Sequence, residues 1–142
     1  NALQTKVIEF KRNVVDNEIA KLFNNHPNSH FYYYKRVRII ENMPKIIEET
    51  YMPEFLFKDM NVKTVEGSML TFIEKEAGYK ISHDSKDIKG ISLSKEEAEL
   101  LNVNEGSVAL EITHKVYLMK SILAQYTKEI LVDNFFKVTS VR

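Results

Sequence analysis

The chain has 142 residues, 44% hydrophobic and 28% charged, a composition typical of one globular domain with a core of useful size. Twenty basic residues balance twenty acidic ones, and this zero net charge argues against nucleic-acid or membrane binding as the main task of the segment. The absence of cysteine excludes a disulfide framework and a thiolate nucleophile, and it fits a reducing, cytoplasmic compartment.

The N-terminal part of the chain predicts a strand followed by a short helix. β-branched and aromatic residues recur over positions 5–15, which favours a strand. No charged segment followed by a long apolar core stands at the N-terminus, so we expect no signal peptide. Asp16 is a suitable N-cap for the helix, in which Ile19, Leu22 and Phe23 form one apolar stripe.

A β-hairpin is predicted by the stretch FYYYKRVRIIENMPKIIEETYMP, with a three-residue turn at 42–44. Arg36 and Arg38 lie two residues apart and therefore project from the same face of their strand. With this turn, Arg38 is expected opposite Glu48 and Arg36 opposite Thr50. Two cations and one carboxylate are costly to bury without partners, so this face is either a surface or a polar ligand site.

The middle of the chain predicts a second helix whose start could belong to the same site. Ser68 is a good N-cap, Leu70, Ile73 and Ala77 form the buried stripe, and Gly78 is placed to end the helix. Unpaired N–H groups at a helix start and planar arginine guanidinium groups together suit a phosphate or carboxylate. Spacing alone favours the alternative, a solvated strand face with a cross-strand Arg–Glu pair worth about 0.2–1 kcal/mol.

The C-terminal half predicts a third helix and further strands. Positions 80–93 are polar, with isoleucines spaced for strands and a loop expected in the middle. A capping box beginning at Ser94 precedes the third helix. Apolar and polar residues then alternate over 108–118, the clearest strand of the chain, and strands are also expected at 122–132 and 135–141. Helices interspersed among hairpin-connected strands predict an α+β fold with an antiparallel sheet.

Other polar residues predict neither a metal nor a catalytic site. The histidines lack the spacing of a ligand set, so we expect no metal and no cofactor, and His114 is expected as a satisfied core histidine. The acidic pairs, Glu48 and Glu49 among them, have no apolar context that would shift a pKa, and they are expected at the surface. Tyrosines 32–34 could form a nucleic-acid stacking platform, but the neutral net charge favours a strand with tyrosines on both faces.

These motifs, in this order, resemble the UTRA domain, the effector-binding half of HutC-subfamily GntR-type bacterial transcription regulators. That family typically shows R-x-R, a turn with Pro, and then E-x-x-Y-hydrophobic-P, here within RVRIIENMPKIIEETYMPEFLF. The matching residues are Arg36, Arg38, Pro44, Glu48, Tyr51 and Pro53. A helix opened by a Ser and ended by a Gly matches Ser68 and Gly78, and the next helix and long strand of the family fit EEAELLNV and VALEITHKVYL.

The resemblance implies an α+β fold of the chorismate lyase-like type, a central antiparallel sheet flanked by helices, as a single domain over 1–142. It implies a cytoplasmic, non-enzymatic repressor that forms a homodimer, binds a small anionic metabolite such as a phosphorylated sugar, and contacts operator DNA only through a winged-helix domain ahead of residue 1. Family members that respond to sugar phosphates place ligand groups at positions matching Arg36, Arg38, Glu48 and Ser68. The resemblance therefore favours a ligand site over a solvated face.

Four features depart from the family pattern, on the side expected to contact the rest of the ligand. The family often has an acidic residue where this chain has Gln125, a Tyr where it has Leu131, and an Arg where it has His114. Its Gly-x-Pro turn is replaced at 121–123. Gln125 therefore joins the ligand-binding residues, and the identity of the sugar is expected to depend on this region.

Two other functions stay open from the sequence. A lyase-type enzyme that shares this fold would need an arginine–glutamate site closed to water around an aromatic acid, and chorismate turnover would reveal it. A plain interaction module would bind no metabolite, so that Arg36→Ala and Arg38→Ala would have no binding to remove.

Overall fold

The structure, a computed structural model, describes residues 3–132, which form one six-stranded antiparallel sheet with short helices on both faces. The strands are β1 (Leu3–Val14), β2 (Phe31–Ile40), β3 (Met43–Pro53), β4 (Ile81–Ser92), β5 (Val108–Leu118) and β6 (Ile122–Leu131), and the helices are α1 (Asn17–Leu22), α2 (Val62–Val65), α3 (Met69–Thr71) and α4 (Lys95–Leu101). Along the sheet the order is β1-β2-β3-β6-β5-β4. The predicted α+β fold is confirmed.

The two faces of the sheet have separate cores. On one face, Tyr34 and Met52 pack with Ile73 and with other side chains of the α2–α3 region. On the opposite face, Phe23, the C-cap residue of α1, belongs to one cluster, and Leu101 of α4 belongs to another. Full burial of each large apolar side chain contributes about 1.5–3 kcal/mol, so these clusters hold the helices against the strands. The candidate site described below lies on the face that α3 covers.

Local sequence signals set the helix ends as predicted. Asp16 caps α1 by accepting a hydrogen bond from the backbone N–H of Ile19, and Ser94 and Glu97 form the reciprocal capping box of α4. Gly78, with a φ of +78°, lies just beyond the helical turns that follow α3. Most residues avoid such a φ, which explains glycine at this position. No helix in the described part of the chain is long and apolar enough to cross a membrane.

Two predicted details of these elements are wrong. Positions 80–93 contain no central loop, because β4 pairs with β5 along its length and obtains its backbone hydrogen bonds there despite its polar sequence. Leu70 is 52% exposed, whereas Met69, Phe72 and Ile73 are buried. The helix widens to a π-helical turn at Phe72–Glu76, which alters the spacing of the buried side chains. The strand expected at 135–141 lies outside the described residues.

The β2–β3 hairpin has a shorter turn than predicted. Ile40 pairs with Met43, so the turn consists of Glu41 and Asn42, both with positive φ (51° and 67°), as in the two-residue turns whose twist matches that of the strands. The register then shifts at Lys45, which is the extra residue of a β-bulge in β3. Together, the turn and the bulge decide which side chains meet across the hairpin.

Candidate functional site

Arg36 and Glu48 face each other across β2 and β3. Arg36 is 4% exposed, and its Nε donates a hydrogen bond to Glu48 Oε1 at 2.5 Å. The prediction that Arg38 lies opposite Glu48 and Arg36 opposite Thr50 is wrong, because the turn has two residues and β3 is bulged; Arg38 pairs with Ile46 instead. The side chain of Arg38 nevertheless extends toward Glu48, so that Arg38 Nη1 lies 3.7 Å from Glu48 Oε1. One carboxylate therefore lies near both arginines.

Arg36 also fixes the segment that leads into α3. Its Nη1 donates hydrogen bonds to the carbonyl oxygens of Val65 and Gly67, each at 2.8 Å. Three of the five N–H donors of an arginine are thus used inside the protein. These bonds place Ser68 beside the sheet, where its Oγ accepts a hydrogen bond from the backbone N–H of Thr71 at 3.3 Å. A long-range contact, rather than local sequence, brings the helix start next to the strands.

Arg38 has a buried donor without a partner in the described part of the chain. Its Nε is buried and has no hydrogen-bond partner among residues 3–132. Its contact with Glu48, at 3.7 Å, is too long for a hydrogen bond, although the side chain is only 17% exposed. A buried donor left without an acceptor costs about 1–3 kcal/mol, or more when it is charged. An anionic ligand that drew the Arg38 side chain toward the cavity, so that Nε could donate to it, would remove this cost.

A cavity of about 430 Å³ brings the predicted site residues together on this face of the sheet. All five line it: Arg36, Arg38, Glu48, Ser68 and Gln125. Side chains from β2 to β6 form its floor and walls, and the start of α3 closes one side. Its volume falls in the range of small-molecule sites, about 300–1,000 Å³.

The floor of the cavity is polar and internally hydrogen-bonded. Gln125, 7% exposed, donates through Nε2 to the hydroxyl of Tyr34 at 3.1 Å. The hydroxyls of Thr50 and Thr127 are 2.7 Å apart. Burial raises the pKa of Tyr34, which therefore stays protonated. Because these side chains are hydrogen-bonded in pairs, the floor of the cavity is a polar surface of fixed geometry.

Glu129, in the cavity wall beside Glu48, was missed by the sequence analysis. Glu129 pairs with Glu48 across β3 and β6, and burial, followed by a hydrogen bond to Glu48, raises the pKa of Glu129 to about 7. His114 Nε2 lies 3.7 Å from Glu129 Oε1. Burial, and then the charge of Lys86, lowers the pKa of His114. His114 is thus half-buried at a cavity wall rather than in the core, and Glu48, expected at the surface, is only 12% exposed.

A period of two along β6 could have identified Glu129. Gln125, Thr127 and Glu129 share one strand face, so choosing Gln125 already implied the other two. The pairing of β6 with β3, which places Glu129 beside Glu48, was not predicted from the sequence.

The charges around the cavity favour an anion. The lining includes three cationic side chains and three carboxyl groups, namely Arg36, Arg38, Lys86, Glu48, Asp84 and Glu129. Because the pKa of Glu129 is raised to about 7, this carboxyl group is protonated in part of the molecules at neutral pH, and the cations are then in slight excess. Within residues 3–132, no three His, Cys, Asp or Glu side chains are grouped so that they could hold a metal ion.

A second cavity of about 390 Å³ lies on the opposite face of the sheet. Tyrosines do project from both faces of β2, and here Tyr33 donates its hydroxyl hydrogen to Glu49 Oε2 at 2.7 Å. Burial, and then this hydrogen bond, raise the pKa of Tyr33. Lys128 Nζ is 4.0 Å from the other oxygen of Glu49. These polar groups already have partners, whereas the Nε of Arg38 has none among residues 3–132, so the first cavity is the better candidate for a ligand site.

Comparison with known proteins places this arrangement in a family. The UTRA domain matches residues 1–137. A curated relative, the mannosyl-D-glycerate transport/metabolism system repressor MngR of Escherichia coli K12, is 28% identical over 115 residues, which are 81% of this chain and 48% of the relative. The chain spans about half the length of the curated relatives it matches.

Solved structures share the fold. The possible transcriptional regulator YydK of Bacillus subtilis superposes with a TM-score of 0.88 at 27% identity, covering 98% of this chain and 62% of that protein. The effector-binding domain of the B. subtilis trehalose repressor TreR superposes with a TM-score of 0.80 at 24% identity, covering 98% and 97%. The family match extends over nearly the whole chain, and the structural neighbours have the same sheet; the chain belongs to the UTRA domain family.

Proposed function

We propose that this chain is the effector-binding domain of a bacterial transcription regulator, and that its 430 Å³ cavity binds a small anionic sugar derivative, phosphorylated or carboxylated. The observation that carries the proposal is the buried Nε of Arg38, which has no acceptor among residues 3–132 and belongs to a side chain that lines the cavity. Relatives with names of regulators support the regulatory role, and MngR is named for a system that handles a sugar linked to a carboxylate.

The cavity residues take different roles in this proposal. Arg38 and the α3 start at Ser68 hold the anionic group, with charge-assisted hydrogen bonds. Arg36 contributes its remaining Nη2 donors, but its main task is to hold α3 in place. Glu48 and Gln125 contact the hydroxyl groups of the sugar. Such buried polar groups discriminate strongly, because a ligand without the matching group leaves them unpaired.

The regulatory step requires more of the protein than this domain. We propose a cytoplasmic homodimer of the HutC type, with a winged-helix domain on each subunit that binds operator DNA. A ligand that favours one arrangement of the dimer shifts the DNA-binding domains by no more than its differential affinity for the two states. The lyase-type alternative lacks comparable support, since the matched relatives carry names of transcriptional regulators.

Thermal unfolding with inorganic phosphate, glucose 6-phosphate and D-glycerate as probes tests the proposal. A ligand that binds only the folded state stabilises it by RT ln(1 + [L]/Kd), about 2.7 kcal/mol at 100 times Kd. We expect at least one probe to raise the melting temperature of the wild-type chain, and Arg38→Met to abolish this shift.

Lys35→Met is the matched control, because Lys35 is on the same strand and projects from the opposite face. It should retain the full shift. If Arg38→Met retained the shift as well, the anion site would be assigned to the wrong residues.

A further inference from the structure

A row of three tyrosines crosses the face of the sheet opposite the candidate anion site. Tyr33 of β2 pairs with Tyr51 of β3, and Tyr51 pairs with Tyr126 of β6. Cross-strand partners project from the same face, so the three side chains lie side by side. The ring centroids of Tyr33 and Tyr51 are 5.0 Å apart, with 52° between the ring planes. All three residues line the second cavity, of about 390 Å³, and give it an aromatic wall.

Two irregularities in β1 complete the lining of the second cavity. The register with β2 shifts by one residue after Val7, so that Glu9 instead of Ile8 projects toward the tyrosines. Lys11 lies on the same face as Glu9, and a second one-residue shift brings Val14 to that face as well. Bulges re-aim side chains and are over-represented beside functional sites. β1 therefore departs from regular pairing at the two points that supply this lining.

The charged groups of the second cavity balance one another. Lys11 Nζ lies 3.0 Å from Glu9 Oε2, and Lys128 Nζ lies 4.0 Å from Glu49 Oε1. The hydroxyl of Tyr33 donates to the other carboxylate oxygen of Glu49. Among the described residues that line the cavity, no charge is left over, and a charged ligand would have to separate one of these pairs. The lining therefore favours an uncharged ligand.

We propose that the second cavity binds an uncharged sugar, at a site separate from the anion site. A pyranose ring has C–H groups on its faces, which pack on tyrosine rings, and hydroxyl groups around its edge. Each hydroxyl both donates and accepts, so it can pair with a carboxylate and with an ammonium group at once. An aromatic wall with a few fixed polar groups, in a cavity within the range of about 300–1,000 Å³, is the composition of small-molecule sites.

An uncharged aromatic ligand is the alternative that the tyrosine row also allows. Such a ligand would stack on the rings. It would also remove water from the paired carboxylate and ammonium groups without replacing the hydrogen bonds of that water, which is unfavourable. The polar edge of the cavity therefore favours a sugar over a plain aromatic compound.

Tyrosine ring signals in nuclear magnetic resonance spectra locate the binding. The chain, with isotope-labelled tyrosine, is titrated with glucose, mannose, galactose, cellobiose and maltose, and with benzyl alcohol as the uncharged aromatic comparison. We expect at least one of these sugars to shift the ring signals of Tyr33, Tyr51 and Tyr126. The ring signals of Tyr34, on the floor of the first cavity, should stay unchanged.

Two variants test the wall and the edge of the cavity separately. Tyr51→Leu removes the central ring of the row, and Lys11→Met removes an exposed ammonium group with little risk to the fold. We expect each to weaken sugar binding about tenfold or more, which corresponds to the loss of about 1.4 kcal/mol. Lys6→Met is the matched control, because Lys6 is on the same strand and does not line the cavity, and it should leave the affinity unchanged.

Four results would each overturn the proposal. They are the absence of ring shifts with every one of these sugars, shifts confined to Tyr34, benzyl alcohol binding as tightly as the best sugar, and unchanged sugar affinity in both Tyr51→Leu and Lys11→Met. Shifts confined to Tyr34 would place the sugar in the first cavity. None of these sugars carries an anionic group, so failure here is distinct from failure of the anion site, which has its own anionic probes.

Discussion

Replacing Arg36 with methionine should destabilise the fold far more than the same replacement at Arg38, two residues further along the same strand face. Methionine keeps the length of the aliphatic stem and removes the guanidinium group. At Arg36 the change removes the 2.5 Å hydrogen bond to Glu48 and the two 2.8 Å bonds to the carbonyl oxygens of Val65 and Gly67. The segment before α3 would lose its attachment to the sheet.

The expected magnitudes follow from burial and geometry. Removing one partner of a buried ion pair costs about 3–5 kcal/mol, since the other charge is left in the interior. Arg38 remains 3.7 Å from Glu48 and offsets part of the cost of leaving the Glu48 charge in the interior. We therefore expect Arg36→Met to lower the free energy of unfolding by about 3–4 kcal/mol. Arg38→Met removes that long contact together with a buried N–H that has no acceptor in the described part of the chain, so its effect should stay within about 1 kcal/mol.

Urea unfolding followed by circular dichroism at pH 7 measures both effects, provided that the m-value is unchanged between variants. Lys35→Met serves as the control on the opposite face of β2. Equal losses for the two arginine variants, or a larger loss for Arg38→Met, would refute the division of roles between Arg36 as a structural clamp and Arg38 as a ligand-holding residue.

Three further predictions concern the site and its supports. Glu129→Gln should raise the free energy of unfolding at pH 8 by on the order of 1–3 kcal/mol and change it little at pH 5. The folded-state pKa of Glu129, about 7, lies above its unfolded value, so the wild type loses stability as pH rises from about 5 through 7, and the variant does not. Parallel profiles of stability against pH for the two proteins would contradict this. Ile73→Ala should lower the free energy of unfolding in urea by about 2–5 kcal/mol, and Leu70→Ala by less than about 0.5 kcal/mol, because Ile73 is fully buried and Leu70 is exposed. Similar losses for the two variants would indicate that Leu70 is buried, as the sequence pattern predicted. Gly78→Ala should lower the free energy of unfolding by about 1 kcal/mol, because Gly78 has a positive φ that alanine adopts at a cost. Gly90→Ala should not lower it, because Gly90 has an ordinary φ and open space around it. Equal melting temperatures for the two variants would contradict the cost assigned to the positive φ.

The sequence by itself determined most of the elements and named five of the residues that line the cavity. Caps at Asp16 and Ser94, the glycine at the end of the α3 region, and the alternation in β5 depend on residues close together in the chain, so local rules predicted them. The period of two placed Arg36 and Arg38 on one face, and the N-cap signature added Ser68 as a candidate. The family resemblance then favoured a ligand site and brought in Gln125. The prediction that Leu70 is buried was wrong because a π-helical turn changes the spacing of the side chains without any clear local signal in the sequence.

Only the tertiary structure decided how these residues meet. A two-residue turn and a bulge, rather than the motif, placed Arg36 opposite Glu48 and left the Nε of Arg38 without an acceptor among residues 3–132. The pairing of β3 with β6 joined residues about eighty positions apart and placed Glu129 beside Glu48, which is why its pKa rises. Strand order also made polar β4 an edge. The alternation of apolar and polar residues within one segment fixes which side chains share a face, but it does not identify the distant segment with which that face pairs, so strand order and the neighbours of Glu129 could not be read from local sequence.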